Sequence, residues 1–137
     1  MQKIFLISFI VVVSGFVHAA DMNIEISEKI NISSDNIEIK EGKIEFQNNV
    51  NFQSKSYEIS GEVAEYIRSI EVIKIKGSPV KFKIATKDKI FKGSSNLIFI
   101  KENEIEISGS VLIEDDSSRI RGELIKFNIL SGELLIK

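Results

Sequence analysis

The sequence contains no cysteine and no tryptophan, and only one proline and one histidine among 137 residues. The single histidine, His18, lies in an N-terminal leader, so the rest of the chain has neither imidazole nor thiol. This excludes the common nucleophile–base pairs and nearly all zinc and copper sites. Disulfides are excluded as well, so burial and strand pairing must stabilise the fold. We therefore predict no catalytic residue, no metal and no cofactor.

The net charge of the chain is also small. The formal net charge is −2, and positive and negative residues are interspersed rather than segregated. Binding of nucleic acid requires a basic patch or stripe. The sequence lacks one, so we predict no nucleic-acid partner.

The first 20 residues have the three parts of a secretory signal peptide. Lys3 supplies the positive start, Ile4–Phe16 is nearly all apolar, and Ala19 and Ala20 offer a cleavage site. The apolar run of about 13 residues is shorter than the roughly 20 that a membrane-spanning helix needs. We predict a cleaved signal peptide over residues 1–20 and one domain over 21–137. A leader retained as a membrane anchor is the alternative.

A short sequence motif recurs along the chain, and we call each copy of it a phrase. Ile59–Tyr66 resembles Ile120–Phe127 by residue type, and a second phrase, Ile75–Phe82, resembles Ile107–Ile113. The glycine markers are spaced regularly, 32 residues from Gly61 to Gly93 and again from Gly77 to Gly109, and 29 from Gly93 to Gly122. Self-similarity of this period indicates a repetitive architecture. Each unit is predicted to be a pair or quartet of strands that buries its neighbour's apolar face.

Alternating apolar and polar residues predict an all-β chain. We expect about fourteen short strands joined by polar or glycine turns. Several of them are separated by one or two residues only, among them strands 57–60 and 62–67, and 70–76 and 79–84. The stretch from Asp21 to Glu28 is polar and is expected to fray.

Within single segments the apolar residues change from alternate even-numbered positions to alternate odd-numbered positions, which indicates a curved sheet. Ile70 and Val72 share one face, whereas Ile73 and Ile75 share the other. A shift of one residue moves every later side chain to the opposite face, and a bulge restores the apolar ones to the interior. The apolar face of each sheet must pack against another apolar face, so that both are removed from water. The two faces can form an ordinary core, as in a β-sandwich, or can remain splayed and accept a lipid.

Three groups of polar residues are interpreted structurally. Asp115 and Asp116 are predicted to stabilise a turn rather than to form a calcium site or a carboxylate dyad, because no glycine-spaced calcium loop surrounds them. Tyr57 and Tyr66 lack a neighbouring base and are interpreted as packing residues. A set of lysines is interpreted as a solvated face, with contact to lipid phosphates as the alternative: Lys81, Lys83, Lys87, Lys89 and Lys92.

The phrases resemble, in order and spacing, the OstA-like family of periplasmic lipopolysaccharide-transport proteins. The resemblance covers Ile30–Lys137 and runs through six segments: Ile32–Ile39, Phe46–Phe52, Ile75–Phe82, Ile105–Val111, Ile120–Phe127 and Ser131–Glu133. It implies a twisted, open-edged β-jelly roll, which is a folded-over antiparallel sheet with an apolar groove. Asn49 stands where the family has glycine, which puts the local turn in doubt.

The resemblance also implies a function. Lipopolysaccharide, through its lipid A acyl chains, is expected to pass along the groove between the inner and outer membranes during outer-membrane assembly. Expected partners are related β-jelly roll proteins at both membranes and further copies of the chain, joined end to end through the edge strands Ile32–Ile39 and Glu133–Lys137. The predicted lipid-binding residues are Ile37, Ile39, Phe46, Phe52, Ile59, Tyr66, Ile75, Phe82, Phe99, Ile107, Ile113 and Phe127.

Two alternatives stay open from the sequence. A retained leader favours the inner-membrane-anchored partner of the same fold, the LptC-like proteins. A closed apolar core favours a secreted structural β-repeat protein without lipid. An enzyme with a carboxylate pair is the least supported, because the acidic residues occupy turns or solvent-facing positions.

Overall fold

The computed structural model describes the backbone of residues 8–14, 17–86 and 88–137, with side chains from Ala20 onward. This part of the chain is built from strands: β1 (Ser8–Ser14), β2 (Val17–Ile26), β3 (Glu28–Ser34), β4 (Asn36–Lys40), β5 (Lys43–Gln53), β6 (Tyr57–Ile67), β7 (Val72–Ala85), β8 (Ile90–Ile100), β9 (Glu104–Glu114), β10 (Arg119–Asn128) and β11 (Leu134–Ile136). Within those residues, no helix is long and apolar enough to cross a membrane.

The strands form one open antiparallel sheet. They follow one another as β1-β2-β3-β5-β6-β7-β8-β9-β10-β11, and β4 pairs with β5. This confirms the prediction of an all-β, folded-over antiparallel sheet. The expectation of about fourteen short strands over the mature chain was wrong, because the described residues form eleven strands in all, most of them longer than expected. Predicted neighbours such as 57–60 and 62–67 are the two parts of one long strand, β6, and are joined by a bulge.

The bulges lie side by side across the sheet. Register shifts fall between residues 47 and 50 in β5, 60 and 63 in β6, 76 and 80 in β7, 94 and 97 in β8, and 122 and 124 in β10. Positive φ angles occur here at Asn48 (64°), Asn49 (51°), Gly109 (80°) and Ser110 (48°). Asparagine tolerates this left-handed region, so Asn49 preserves the bulge in place of glycine. We call this row of bulges the crease.

The sheet folds back on itself at the crease. Phe46 and Phe52 flank it in β5, six residues apart, which corresponds to about 20 Å in a straight strand. Their ring centroids are 6.2 Å apart at an interplanar angle of 71°. The parts of β5–β10 on the Phe52 side, with β2 and β3, form layer 1. The parts on the Phe46 side, with β4 and β11, form layer 2.

The core lies between the two layers. In layer 1, one row of facing positions runs through Met22, Ile32, Phe52, Ile59 and Phe82. In layer 2, a corresponding row runs through Phe46, Ala64, Ile75, Ile98 and Ile107. All ten side chains are buried and belong to one cluster. The alternation in the sequence therefore produces two apolar faces, and the crease brings them together.

The N-terminal region differs from the expectation. The stretch from Asp21 to Glu28 was predicted to fray, which was wrong, because it lies mostly in β2 with Met22, Ile24 and Ile26 in the core. These three alternate with polar residues, and β3 pairs with them along Ala20–Ile26. β2 also crosses the predicted signal-peptide boundary at residue 20, and β1 pairs with it. Part of the predicted leader lies outside the described residues, and its cleavage stays a prediction.

The edges were only partly predicted. The segment Ile32–Ile39 is not one edge strand, because it bends at Asp35, where β3 ends and β4 begins after one residue. β3 is paired on both sides, by β2 and β5, whereas β4 pairs only with β5. At the other end of the sheet, β11 is an edge as predicted and pairs only with β10.

Candidate functional site: the apolar interior

The structure brings most of the predicted lipid-binding residues into the interior between the layers. Nine of the twelve are buried in the core cluster: Phe46, Phe52, Ile59, Tyr66, Ile75, Phe82, Ile107, Ile113 and Phe127. They come from five different strands, β5, β6, β7, β9 and β10. The interior is therefore one continuous cluster of packed apolar side chains.

Phe99 lies on the opposite face of the sheet from the interior. Its ring is covered by two ammonium groups, with Lys74 Nζ 5.9 Å and Lys101 Nζ 6.0 Å from the centroid. Lys101 Nζ also lies 2.6 Å from Glu106 Oε2, which fixes it beside the ring and raises the pKa of the lysine. The prediction that Phe99 lines the interior was wrong. Leu97, Ile98 and Phe99 are all apolar, so alternation cannot show which of them faces inward, and the register places Ile98 there.

Ile37 and Ile39 occupy the edge of the interior. They extend the interior rows of layer 2, because Ile37 pairs with Phe46 and Ile39 with Ile44. Since β4 pairs with no strand other than β5 among the described residues, Ile37 is partly buried and Ile39 is 56% exposed. At the opposite edge Ile136, which pairs with Ile125, is 40% exposed. The apolar interior thus reaches both open edges of layer 2.

The sequence analysis missed several interior residues. Ile73, Ile84, Ile98, Ile100 and Ile105 are fully buried in the same cluster. Each of them alternates with polar or outward-facing neighbours. Had the long strands been recognised as continuous, this alternation would have identified the five residues as interior. The predicted strands were broken at the bulges, which obscured that alternation.

The interior is closed along the side opposite the crease. There the turns of layer 1 meet the turns of layer 2, and we call this line of contact the seam. Ser27, between β2 and β3, has Oγ in hydrogen-bond contact with the Glu102 carbonyl oxygen and 3.1 Å from Asn103 Oδ1. Farther along the seam, Gly132 of the β10–β11 turn lies beside Thr86 of the β7–β8 turn. The buried side chains are therefore shielded from solvent in this conformation.

A cavity of about 470 Å³ lies at the seam. Its polar wall includes Glu28, Lys55, Thr86 and Ser131. Its apolar wall includes Phe127, Ile129 and Leu130. Phe127 also belongs to the core, whereas Leu130 is 73% exposed, so the cavity is open to solvent and borders the core at Phe127.

Both tyrosines are buried packing residues, as predicted. Among the described residues, no group meets the Tyr57 hydroxyl in hydrogen-bond geometry, although the Ser54 side chain is nearby, and burial together with the Glu28 carboxylate raises the pKa of Tyr57 far above the usual value. Glu28 accepts hydrogen bonds from Ser54 Oγ at 3.2 Å and Ser56 Oγ at 2.7 Å. Burial raises the pKa of Tyr66 to about 12. Neither tyrosine is ionised near neutral pH.

Asp115 has the predicted turn role. Its Oδ1 accepts hydrogen bonds from the backbone N–H groups of Ser117 at 2.8 Å and Ser118 at 2.7 Å, and these bonds lower the pKa of the carboxyl. Among the described residues no group of three His, Cys, Asp or Glu side chains is placed to hold a metal ion.

The lysine set is dispersed around a cleft of mixed charge. Lys83, Lys89 and Lys92 line a surface cleft of about 950 Å³, together with Glu114, Asp115 and Asp116. Lys89 Nζ lies 3.7 Å from Asp115 Oδ2. Lys81 is exposed on β7, and Lys87 lies outside the described residues. Because acidic groups accompany the lysines, the cleft is consistent with the predicted solvated face.

No protein-family model matches the chain, and no curated protein matches its sequence. A solved structure does match its fold. The chain is similar in structure to LptH. That protein is described as the LptA homologous periplasmic component of the conserved lipopolysaccharide transport device from Pseudomonas aeruginosa. The TM-score is 0.68 at 16% sequence identity, and the match covers 78% of this chain and 80% of LptH. The chain therefore shares the LptA-like β-jelly roll fold, and this neighbour is a transport component rather than an enzyme.

Proposed function

We propose that this protein binds lipopolysaccharide through its acyl chains and carries it through the periplasm toward the outer membrane. The observation that carries the proposal is the interior, a continuous cluster of apolar side chains that runs between two layers and reaches both edges of layer 2. The fold likeness to a lipopolysaccharide-transport component supports the same proposal.

The interior provides the chemistry that such a carrier needs. Removal of an acyl chain from water is favourable by about 0.8 kcal/mol per methylene group. Apart from Tyr57 and Tyr66, the residues of the interior cluster carry no polar side-chain group, so the interior offers few polar contacts to an acyl chain. Transport needs no proton transfer or nucleophile, which agrees with a site built from isoleucine and phenylalanine.

The edges suggest how copies or partners assemble. Within the part of the chain that the structure describes, β4 and β11 each carry one unpaired edge, and an exposed edge can add a strand from another sheet. Ile39 at one edge and Ile136 at the other expose the ends of the interior rows. We propose that end-to-end pairing with further copies, and with related folds at the two membranes, joins these interiors.

A second candidate function rests on the closure of the seam. Because the interior side chains are packed together and shielded, the protein is also suited to be a structural periplasmic β-domain that binds no lipid. The two candidates differ in whether an acyl chain ever reaches the interior, and experiment can decide between them.

A photoreactive phenylalanine analogue at Phe82 or at Phe99 provides a matched test. Both positions carry phenylalanine in neighbouring strands, but Phe82 faces the interior and Phe99 faces the lysines outside. After illumination with lipopolysaccharide, we expect crosslinks from residue 82 and few from residue 99. Equal crosslinking at the two positions, or none at residue 82 in a protein that binds lipopolysaccharide, would contradict binding in the interior.

Native mass spectrometry supplies the complementary measurement. The purified protein is mixed with lipopolysaccharide, with its lipid A portion, or with the same saccharide after removal of the acyl chains. We expect stoichiometric adducts with the two acylated ligands and none with the deacylated one. Absence of any adduct over a range of lipid concentrations would support the structural domain instead.

A further inference from the structure

The interior can open along only one of its long sides without loss of backbone pairing. At the crease, six strands pass from one layer to the other, and their hydrogen-bonded ladders resume on both sides of the bulges. At the seam, the layers meet through turns, and side chains make the contact. Separation of the layers at the seam therefore breaks fewer and weaker interactions than separation at the crease.

Ser27 and Asn103 form a latch on the seam. Although 76 residues separate them in the chain, Ser27 Oγ lies 3.1 Å from Asn103 Oδ1 and also contacts the Glu102 carbonyl oxygen. The Asn103 carbonyl oxygen accepts a hydrogen bond from the Ile129 N–H at 2.9 Å, so the latch is continuous with the β10–β11 turn. Ser27 has a φ of 61°, an uncommon conformation for serine. The backbone is held in this conformation at the residue that closes the seam.

The cavity beside the latch has two kinds of wall. Phe127 and Ile129 form an apolar wall that is continuous with the core, and Glu28, Lys55 and Thr86 form a polar wall toward solvent. The arrangement matches an amphiphile, whose acyl chains need the apolar wall and whose head group needs polar partners.

We propose that the seam is a lateral entrance through which the acyl chains of an amphiphilic lipid enter the interior, while its polar head group stays in the cavity lined by Glu28, Lys55 and Thr86. The inference rests on the proposed function. It adds the route of entrance, the residues that hold it closed, and the place of the head group. An entrance at the seam serves a single copy, whereas an entrance at the edges of the sheet competes with strand pairing.

A crosslink across the seam tests the proposal directly. The chain has no cysteine, so Ser27→Cys with Asn103→Cys introduces the only two thiols. These are joined by oxidation or by a short thiol–thiol crosslinker. The matched control is Glu58→Cys with Lys83→Cys, a directly opposed pair of exposed residues within layer 1. Uptake of a fluorescent long-chain fatty acid and of lipopolysaccharide is measured before and after crosslinking, and after the disulfide is reduced.

We expect crosslinking at the seam to slow uptake at least tenfold, reduction to restore it, and the control crosslink to leave it unchanged. Uptake at the uncrosslinked rate through a locked seam would overturn the lateral entrance while leaving the proposed function intact. If the unmodified protein takes up neither lipid, the proposed function fails, and the entrance fails with it.

A second variant covers the case in which the cysteine pair does not fold. Ser27→Gly removes the latch hydroxyl, and glycine readily adopts the positive φ of residue 27. We expect uptake to become several-fold faster without loss of the β signal in circular dichroism. An unchanged or slower uptake by this variant would contradict a latch at Ser27.

Discussion

The ring of Phe82 occupies the space that a side chain at Gly93 would need. The two residues are directly opposed in β7 and β8, and a Cβ added to Gly93 would lie 2.6 Å from Phe82 Cζ. Packing of neighbouring groups therefore explains why residue 93 is glycine, which is a different reason from the one that favours glycine in turns. The benzyl group of one interior residue covers the bare backbone of the next strand.

Gly93→Ala should consequently destabilise the protein by about 1–3 kcal/mol, because the new methyl group overpacks the interior. The matched control is Gly122→Ala, where the nearest atoms to an added Cβ are 3.5 Å away, and we expect a change within about 0.5 kcal/mol. Chemical denaturation measures both. The double variant Gly93→Ala with Phe82→Leu should recover only part of the loss, since the atom nearest to the added methyl group is the backbone carbonyl oxygen of Leu112 rather than the ring of Phe82. Equal stability of the two single alanine variants would refute this packing account.

The two faces of the sheet should differ in their response to loss of a phenyl ring. Phe82→Ala removes a buried interior side chain and should cost about 3–5 kcal/mol. Phe99→Ala removes a ring that rests under Lys74 and Lys101 on the outer face and should cost about 1 kcal/mol. Urea unfolding monitored by circular dichroism measures the difference. A larger loss for Phe99→Ala would contradict the register of β8.

Tyr57→Phe is expected to stabilise the protein. The Tyr57 hydroxyl is buried without a hydrogen-bond partner, and relief of its desolvation should raise the free energy of unfolding by about 1 kcal/mol. Ser56→Ala is the control, and its effect on stability should have the opposite sign, because it removes the 2.7 Å hydrogen bond from Ser56 Oγ to Glu28. It should lower stability by about 1 kcal/mol. A destabilised Tyr57→Phe variant would mean that the hydroxyl has a partner in solution, such as a bound water molecule.

Asp115 should give the β9–β10 turn a dependence on pH. Hydrogen bonds from the Ser117 and Ser118 backbone lower the pKa of Asp115 in the folded state. Its stabilising contribution is therefore fully present above the unfolded-state pKa of about 4 and is lost as the pH falls through the lower folded-state pKa. We expect Asp115→Ala to be less stable than the unmodified protein at neutral pH, with the difference shrinking in acid.

Two further variants at this turn separate charge from turn geometry. Asp115→Asn retains an oxygen that can accept the same N–H groups and should lose the pH dependence while keeping part of the stability. Asp116→Ala, at the exposed neighbouring position, should change little. The measurement is the free energy of unfolding of each variant from neutral to acidic pH. A constant difference between Asp115→Ala and the unmodified protein over that range would contradict the assigned role.

Much of the local structure was predictable because neighbouring residues determine it. The turn at Asp115 follows from side chains that hydrogen-bond to the next two or three residues, and the same holds for the Asn128 side chain, which accepts N–H groups from Leu130 and Ser131. Regular spacing of Gly61, Gly77, Gly93 and Gly109 indicated a repeat of a pair or quartet of strands, and the structure places these residues in four consecutive strands, β6 to β9.

Continuity of the strands was not predictable in the same way. A glycine between two apolar runs can mark a turn or a bulge, and the local sequence is similar in both cases. The choice depends on whether the neighbouring strand continues alongside. At Gly61 it does, because β5 and β7 both pair with β6 on either side of the bulge.

The sequence by itself determined that the chain is all-β, that its strands have one apolar face each, and that no thiol or imidazole chemistry is available beyond the leader. These properties follow from the composition of the chain and from the alternation of apolar and polar residues, a pattern that is visible within a few residues. Only the tertiary structure decided that the bulges align into one crease, that Ile98 rather than Phe99 faces inward, and that Ser27 meets Asn103 across the seam. Such relationships depend on the pairing of strands far apart in the chain, where a shift of one residue exchanges the two faces of the sheet.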